Sequence, residues 1–180
     1  MVPRLGGIAL SSRDLVFTAL LTALTVVGAL LTFNLPFVTS VPFTLQVLAV
    51  LLAGLLLGPA RGALSQGLYL FLGALGLPVF HGLTGGIGLL VGPTGGYLLG
   101  YPLAAAVAGL GRGRGWGLQV LSALGGLIVV YGAGWVGLRF FAHLPWDRAF
   151  WAGVVPFLPY DAVKAVLAAL IAQRLYRSVA

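Results

Sequence analysis

The stretch Val41-Pro-Phe-Thr-Leu-Gln-Val-Leu-Ala-Val-Leu-Leu-Ala-Gly-Leu-Leu-Leu-Gly-Pro-Ala-Arg-Gly62 decides the fold class. Its middle is a continuous apolar run, interrupted only by Thr44 and Gln46 near the start. Its end, Gly58-Pro59-Ala60-Arg61-Gly62, is a tight turn whose proline suits the first turn of a following helix. The same unit, an apolar run closed by Gly, Pro or Arg, recurs along the chain. It predicts six helices near 13–33, 43–58, 61–76, 96–110, 116–138 and 150–175. The second and third are short.

Composition says what such helices face. Of 180 residues, 60% are hydrophobic and 7% are charged, against about 25% charged in a soluble domain. Too few polar groups remain to cover a water-exposed surface, so lipid must face most of the chain. A helix needs about 20 apolar residues to cross the hydrocarbon core, and six such spans leave only short loops. The expectation is an all-α membrane protein, a single integral membrane domain over 1–180 built as a six-helix bundle. The run after Arg13 is long enough to span and is expected to be the first helix, not a cleaved signal peptide.

The net charge of +7 does not point to nucleic acid, because the arginines stand singly between apolar runs instead of gathering on one basic face. They report topology. Arg4, Arg13, Arg61, Arg112, Arg114, Arg174 and Arg177 fall on one side of six spans, with Arg139 and Arg148 on the other. Cytoplasmic flanks collect Lys and Arg, so a multi-pass protein of the cell membrane with both termini cytoplasmic is expected. With no cysteine, disulfides and thiolate metal sites are excluded.

The three connections assigned to the outer side are the unusual ones. The first, Asn34 to Pro42, carries two prolines and leads into Phe43, Thr44 and Gln46. The second, from His81 to Gly96, contains seven glycines between 82 and 96. The third runs through His143, Pro145, Trp146 and Trp151 toward Pro156 and Pro159. Just beyond it, Asp161 and Lys164 sit in the last span at i, i+3, sharing one helix face. A central Asp or Lys costs about 2.5 to 3.5 kcal/mol on insertion scales, and charges there usually serve function. Two readings are open: a solute site, or an ion pair satisfying itself with the lysine snorkelling toward the interface.

Other features also carry two readings. The glycine loop lets backbone amides approach a ligand or form an anion nest, or packs tightly between helices. It fits neither G-x-x-x-x-G-K-[ST] nor G-x-G-x-x-G. Phe43, Phe80, Tyr97, Trp146, Trp151 and Tyr160 form an interfacial aromatic belt or wall part of a pocket. Small-xxx-small patterns such as Ala19-x-x-x-Ala23, Gly54-x-x-x-Gly58 and Gly92-x-x-x-Gly96 allow close helix approach.

The strings Val41-Pro-Phe-Thr-Leu-Gln-Val-Leu-Ala-Val-Leu-Leu-Ala-Gly54, Leu57-Gly-Pro-Ala-Arg-Gly62, Gly73-Ala-Leu-Gly-Leu-Pro-Val-Phe80 and Leu90-Val-Gly-Pro-Thr-Gly-Gly-Tyr-Leu98 together closely resemble the BioY family. Its members are the biotin-binding S components of energy-coupling-factor (ECF) transporters. The resemblance implies the six-helix S-component fold and an outer biotin pocket built by the first two outer loops and the start of the last helix. It also implies a transmembrane coupling subunit and two ATP-binding-cassette ATPases as partners.

Asp161 and Lys164 match the family's D-x-x-K, and their chemistry agrees. Biotin's ureido ring has two N–H donors for a carboxylate and one carbonyl for an ammonium. Phe43, Gln46, Phe80, Tyr97 and Tyr160 complete the expected lining. His81 and the amides of Gly85, Gly86, Gly95 and Gly96 are candidates for the biotin carboxylate. Ala19 and Ala23 match the alanine pattern that docks on the coupling subunit.

No cofactor or metal is implied. A stand-alone secondary carrier for a vitamin-like solute, with Asp161 coupling protons, is the alternative. Enzymatic chemistry is disfavoured, because three acids and two histidines form no recognisable metal site or triad.

Overall fold

A computed structural model describes residues 4–5, 8–9, 11–33, 37, 39 and 41–179. Most of the expected first outer loop, from Asn34 to Ser40, lies outside the described residues, as do the side chains of Arg4 and Arg177. Two two-residue ribbons accompany the helices, β1 (Arg4–Leu5) with β2 (Ile8–Ala9) and β3 (Thr32–Phe33) with β4 (Phe43–Thr44), both antiparallel. The helices are α1 (Ser12–Leu30), α2 (Gln46–Leu57), α3 (Pro59–Ala74), α4 (Gly95–Gly109), α5 (Trp116–Phe141), α6 (Trp146–Gly153) and α7 (Leu158–Val179).

Among the described residues, three stretches are long and apolar enough to cross a membrane: Ser12–Leu30, Trp116–Phe141 and Trp146–Tyr176. With its 12 residues, α2 measures only about 18 Å, well short of the roughly 30 Å hydrocarbon core. It has no need to span alone, because α1, α3, α4, α5 and α7 all pack against it. Ten of its residues are buried, which is why its sequence is apolar on every face.

Local chemistry sets the helix ends. Ser11 and Asp14 form a capping box at the start of α1. At the other end the expected helix over 13–33 stops at Leu30. There the Thr32 hydroxyl donates to the Ala29 carbonyl at 2.6 Å, an alternative to helical pairing. Thr32 and Phe33 then pair with Thr44 and Phe43. The second helix therefore begins at Gln46, whose backbone N–H donates to the Thr44 hydroxyl at 3.2 Å. Gly58, at φ +86°, both ends α2 and places Pro59 at the head of α3.

The last expected span, 150–175, is broken. Its first part belongs to α6, a 3-10 turn over Val155–Phe157 follows, and only then does α7 begin. Pro156, in the 3-10 turn, has no N–H to donate to the preceding turn, which favours a break there, while Pro159 falls in the first turn of α7, where no such N–H is needed. The break puts Asp161 in the first turn of α7.

Glycines set the helix spacing. At Gly54 an added Cβ would strike the Ala105 carbonyl of α4, and at Gly96 it would strike the Ala133 carbonyl of α5. Backbones meet there directly. Gly67 on α3 has nothing within 4 Å of that position. Gly54→Val is therefore expected to destabilise the fold by about 1–3 kcal/mol through overpacking. Gly67→Ala should be neutral or stabilising by up to about 1 kcal/mol through helix propensity. Unfolding of each variant in detergent, followed by circular dichroism, checks both.

Candidate functional site

Asp161 and Lys164 are 2% and 4% exposed. The helical spacing sets them on one face, where the Lys164 Nζ donates to Asp161 Oδ1 at 2.6 Å. Neither charge relies on the other alone. Tyr131 of α5 donates its hydroxyl to Asp161 Oδ2 at 2.9 Å, and Lys164 Nζ also donates to the Thr44 carbonyl at 2.6 Å. The Lys164 Nζ further lies 4.2 Å from the centroid of the Tyr160 ring, within cation–π range. The pair is thus held by α7 itself, by α5 and by the β4 ribbon. It is not an ion pair snorkelling at the interface.

A cavity opens beside it. Its polar edge is Thr44, Gln46, His81, Thr84, Thr94, Tyr131, Asp161 and Lys164, and its walls include Val41, Phe80, Leu89, Tyr97, Tyr101 and Phe157. The free volume between them is about 60 Å³, room for a few water molecules. Apolar walls with a few polar groups are the usual character of a small-molecule site.

The expected residues divide. Gln46, Phe80, His81, Tyr97, Asp161 and Lys164 all line the cavity. Gln46 donates to the Tyr69 hydroxyl at 2.6 Å, and that hydroxyl donates to the Val79 carbonyl at 3.2 Å, which ties α2 to the end of α3. Tyr97 donates to the Gly153 carbonyl at 2.7 Å, which fixes the end of α6. Phe43 and Tyr160 stand one layer back, in a ring cluster with Phe33 and Phe157 whose centroids lie 4.3 to 6.0 Å apart.

Gly85, Gly86, Gly95 and Gly96 are not among the lining residues. The amides of Gly86 and Gly95 already donate to the carbonyls of Gly73 and Gly92, at 2.7 and 2.9 Å. A Cβ at Gly85 would collide with the Leu77 carbonyl, and one at Gly95 with the Leu90 carbonyl. These glycines fold the loop upon itself and against α3 and α5. Trp146 and Trp151, at 45% and 67% exposed, belong to the outer surface and not to the cavity.

Sequence reading missed Tyr131, Tyr101, Thr84, Thr94 and Leu89. For the tyrosines a signal existed: a phenol inside an apolar span has to find a hydrogen-bond partner. Tyr131, Tyr101 and Tyr69 each interrupt such a run.

His81 sits at the mouth, in the 3-10 turn His81–Leu83. Gly82 at φ +69° and Leu83 at φ +57° make a left-handed bend there, closed by the Thr84 hydroxyl donating to the His81 carbonyl at 2.7 Å. Partial burial pushes the imidazole below its ordinary pKa of 6.5, so it stays neutral at pH 7. The unfolded chain binds this proton first as pH falls. Its contribution is therefore fully present above about 6.5 and is lost as pH drops below that value. Thermal midpoints measured across this range should fall on acidification, and His81→Gln should remove that component of the fall.

Comparison with known proteins bears on this geometry. The BioY family model matches residues 3–180. A "Probable biotin transporter BioY" of Pyrococcus horikoshii is 46% identical, over 92% of this chain and 98% of that protein. The "Biotin transporter BioY" of Thermotoga maritima is 44% identical, over 91% and 95%. Among solved structures, the S-component for biotin from an ECF-type ABC transporter superposes with a TM-score of 0.85 at 29% identity, covering 94% of this chain and 95% of that one. The six-helix membrane fold is thus that of an S component, and a transport subunit, not an enzyme, is what these relatives have in common. Matched along nearly its whole length by family, relatives and fold, the chain belongs to the BioY family.

Proposed function

We propose that this protein captures biotin at the outer face of the cell membrane and mediates its uptake as the substrate-specific S component of an ECF-type ABC transporter. The observation that carries the reading is the buried Asp161–Lys164 pair beside a mostly apolar cavity. Biotin's ureido group presents two N–H donors and one carbonyl acceptor. A carboxylate accepts the first and an ammonium donates to the second, and charge-assisted bonds of this kind are the stronger class. Tyr131 keeps Asp161 from turning away and the Thr44 carbonyl does the same for Lys164, so both heads are oriented in advance. The thiophane ring would lie against Phe80, Leu89, Tyr97 and Phe157.

The carboxylate tail lies toward the mouth. His81, as a neutral N–H donor, and the Thr94 hydroxyl are the groups there with the right chemistry. A bicyclic solute exceeds the present free volume, so the walls part to admit it. The segment 81–94 is the wall best able to give. It is built from 3-10 turns, and Leu83, Ile87 and Val91 in it are 60 to 72% exposed.

Energy comes from partners: a transmembrane coupling subunit and two ATPases. On α1 the exposed residues include Val16, Ala19, Leu20, Ala23 and Val27, a face with two methyl-sized positions one turn apart. Such a face admits a second helix at close range. The termini lie on the cytoplasmic side in this reading, supported by the arginine distribution.

Two measurements test the proposal. Purified protein should bind biotin tightly, and Asp161→Asn or Lys164→Met should each weaken binding roughly ten- to a hundredfold, since a charged hydrogen bond contributes about 1.5–3 kcal/mol. No biotin binding by the folded wild type would sink the assignment. Ala23→Leu should leave biotin binding unchanged and abolish ATP-dependent uptake in vesicles carrying the partner subunits. Unimpaired uptake would remove α1 from the docking surface.

A further inference from the structure

At the end of the bundle opposite the biotin site lies a second concavity, of about 440 Å³. Its lining is Leu57, Gly58, Pro59 and Arg61 from the α2–α3 turn, with Leu110, Arg112 and Arg114 among the residues of the α4–α5 turn. The length of α2, about 18 Å, separates the two sites. Three guanidinium groups and no acid line this concavity. Asp14 of α1 pairs with Arg61 at 2.6 Å and offsets one of the three charges.

The arrangement is built. Arg112 Nε donates to the Tyr176 hydroxyl at 3.0 Å, and that hydroxyl donates to the carbonyls of Leu55 and Leu56, at 2.8 and 3.1 Å. The end of α2 is thereby capped from α7, and the Arg112 side chain is laid across Gly58. A Cβ at Gly58 would sit 3.1 Å from Arg112 Cδ. The hydrogen-bond partner of Arg112 is an uncharged phenol, and the charge of Asp14, held in its ion pair with Arg61, is shared between the two arginines. The guanidinium of Arg114 has no partner among the described residues. The first turn of α3 adds the positive end of a helix with no side-chain cap.

The rim is apolar. Leu110 is 60% exposed, Leu118 49% and Trp116 37%. An exposed tryptophan and leucines close to arginines mark the level where acyl chain gives way to headgroup.

From these observations we infer that this concavity holds the phosphate of an anionic phospholipid headgroup, with the lipid tails lying over Leu110 and Leu118. Free phosphate has the same charge chemistry but no use for the apolar rim. Basic pockets between membrane helices are suited to such lipids.

The test uses the full chain in mixed micelles of phosphatidylglycerol and phosphatidylcholine, with retained lipid read by native mass spectrometry. Phosphatidylglycerol should be held in preference. Arg114→Gln should lower its retention roughly fivefold, the loss expected for one arginine near an anionic surface, with biotin binding unchanged as the measure of intact fold. Arg112→Gln gives a second arm. Equal retention of both lipids, or a preference untouched by either substitution, overturns the inference. So does binding of inorganic phosphate without any lipid preference, which assigns the site to a soluble anion. Loss of partner-driven uptake in Arg114→Gln at unchanged lipid retention overturns it in favour of an acidic protein segment.

Discussion

A carboxylate and an ammonium inside a bundle that faces lipid are tolerable only when each is met on several sides. Much of the half of the bundle that contains the pair is arranged by that requirement. Asp161 is reached by Lys164 and by Tyr131, and Lys164 by Asp161, the Thr44 carbonyl and the Tyr160 ring. Meeting these needs fixes α7 against α5 and against the β4 ribbon ahead of α2. Removing either charge alone would leave the other buried without its partner, a loss of about 3–5 kcal/mol in protein interiors. A ligand that offers two donors and an acceptor to the same heads substitutes for contacts the pair already makes, so binding need not start from an unsatisfied site.

The remainder of the bundle serves to keep that pair in place. The short α2 is wrapped by five helices, and it carries Gln46 at the site end and the Tyr176-capped carbonyls of Leu55 and Leu56 at the other. Hydroxyls stitch α1 to α3 in the same apolar setting: Thr22 donates to the Ser65 carbonyl at 2.9 Å, and Gln66 donates to Thr25 at 3.1 Å. Interhelical hydrogen bonds of this kind add modestly to packing within membranes. They also fix register, which apolar surfaces alone do not.

The fold class was readable because it follows from quantities local to the chain: apolar runs, their punctuation by Gly, Pro and Arg, and the scarcity of charge. Asp161 and Lys164 were readable for the same reason, being three residues apart on one helix. The break before α7 was written in Pro156, yet its effect on a continuous apolar run was underestimated. Of the two readings open for the glycine loop, tight packing is the one its contacts display. Its glycines are needed by neighbouring backbone, and the chain alone does not say which neighbour each glycine meets.

What the sequence by itself determined is the membrane setting, the six-helix fold class and the presence of one costly charged pair, since each depends on residue type and near spacing. Only the tertiary structure decided that Tyr131, thirty residues from Asp161, supplies its second hydrogen bond. It alone showed that Thr44, 120 residues from Lys164, offers a carbonyl. The same holds for Arg61, Arg112 and Arg114, which look like scattered topology signals along the chain and converge on one concavity in space. Convergence of this kind depends on which helices lie side by side. That is set by where glycine lets backbones touch and where buried hydroxyls find partners, neither of which has a fixed spacing in sequence.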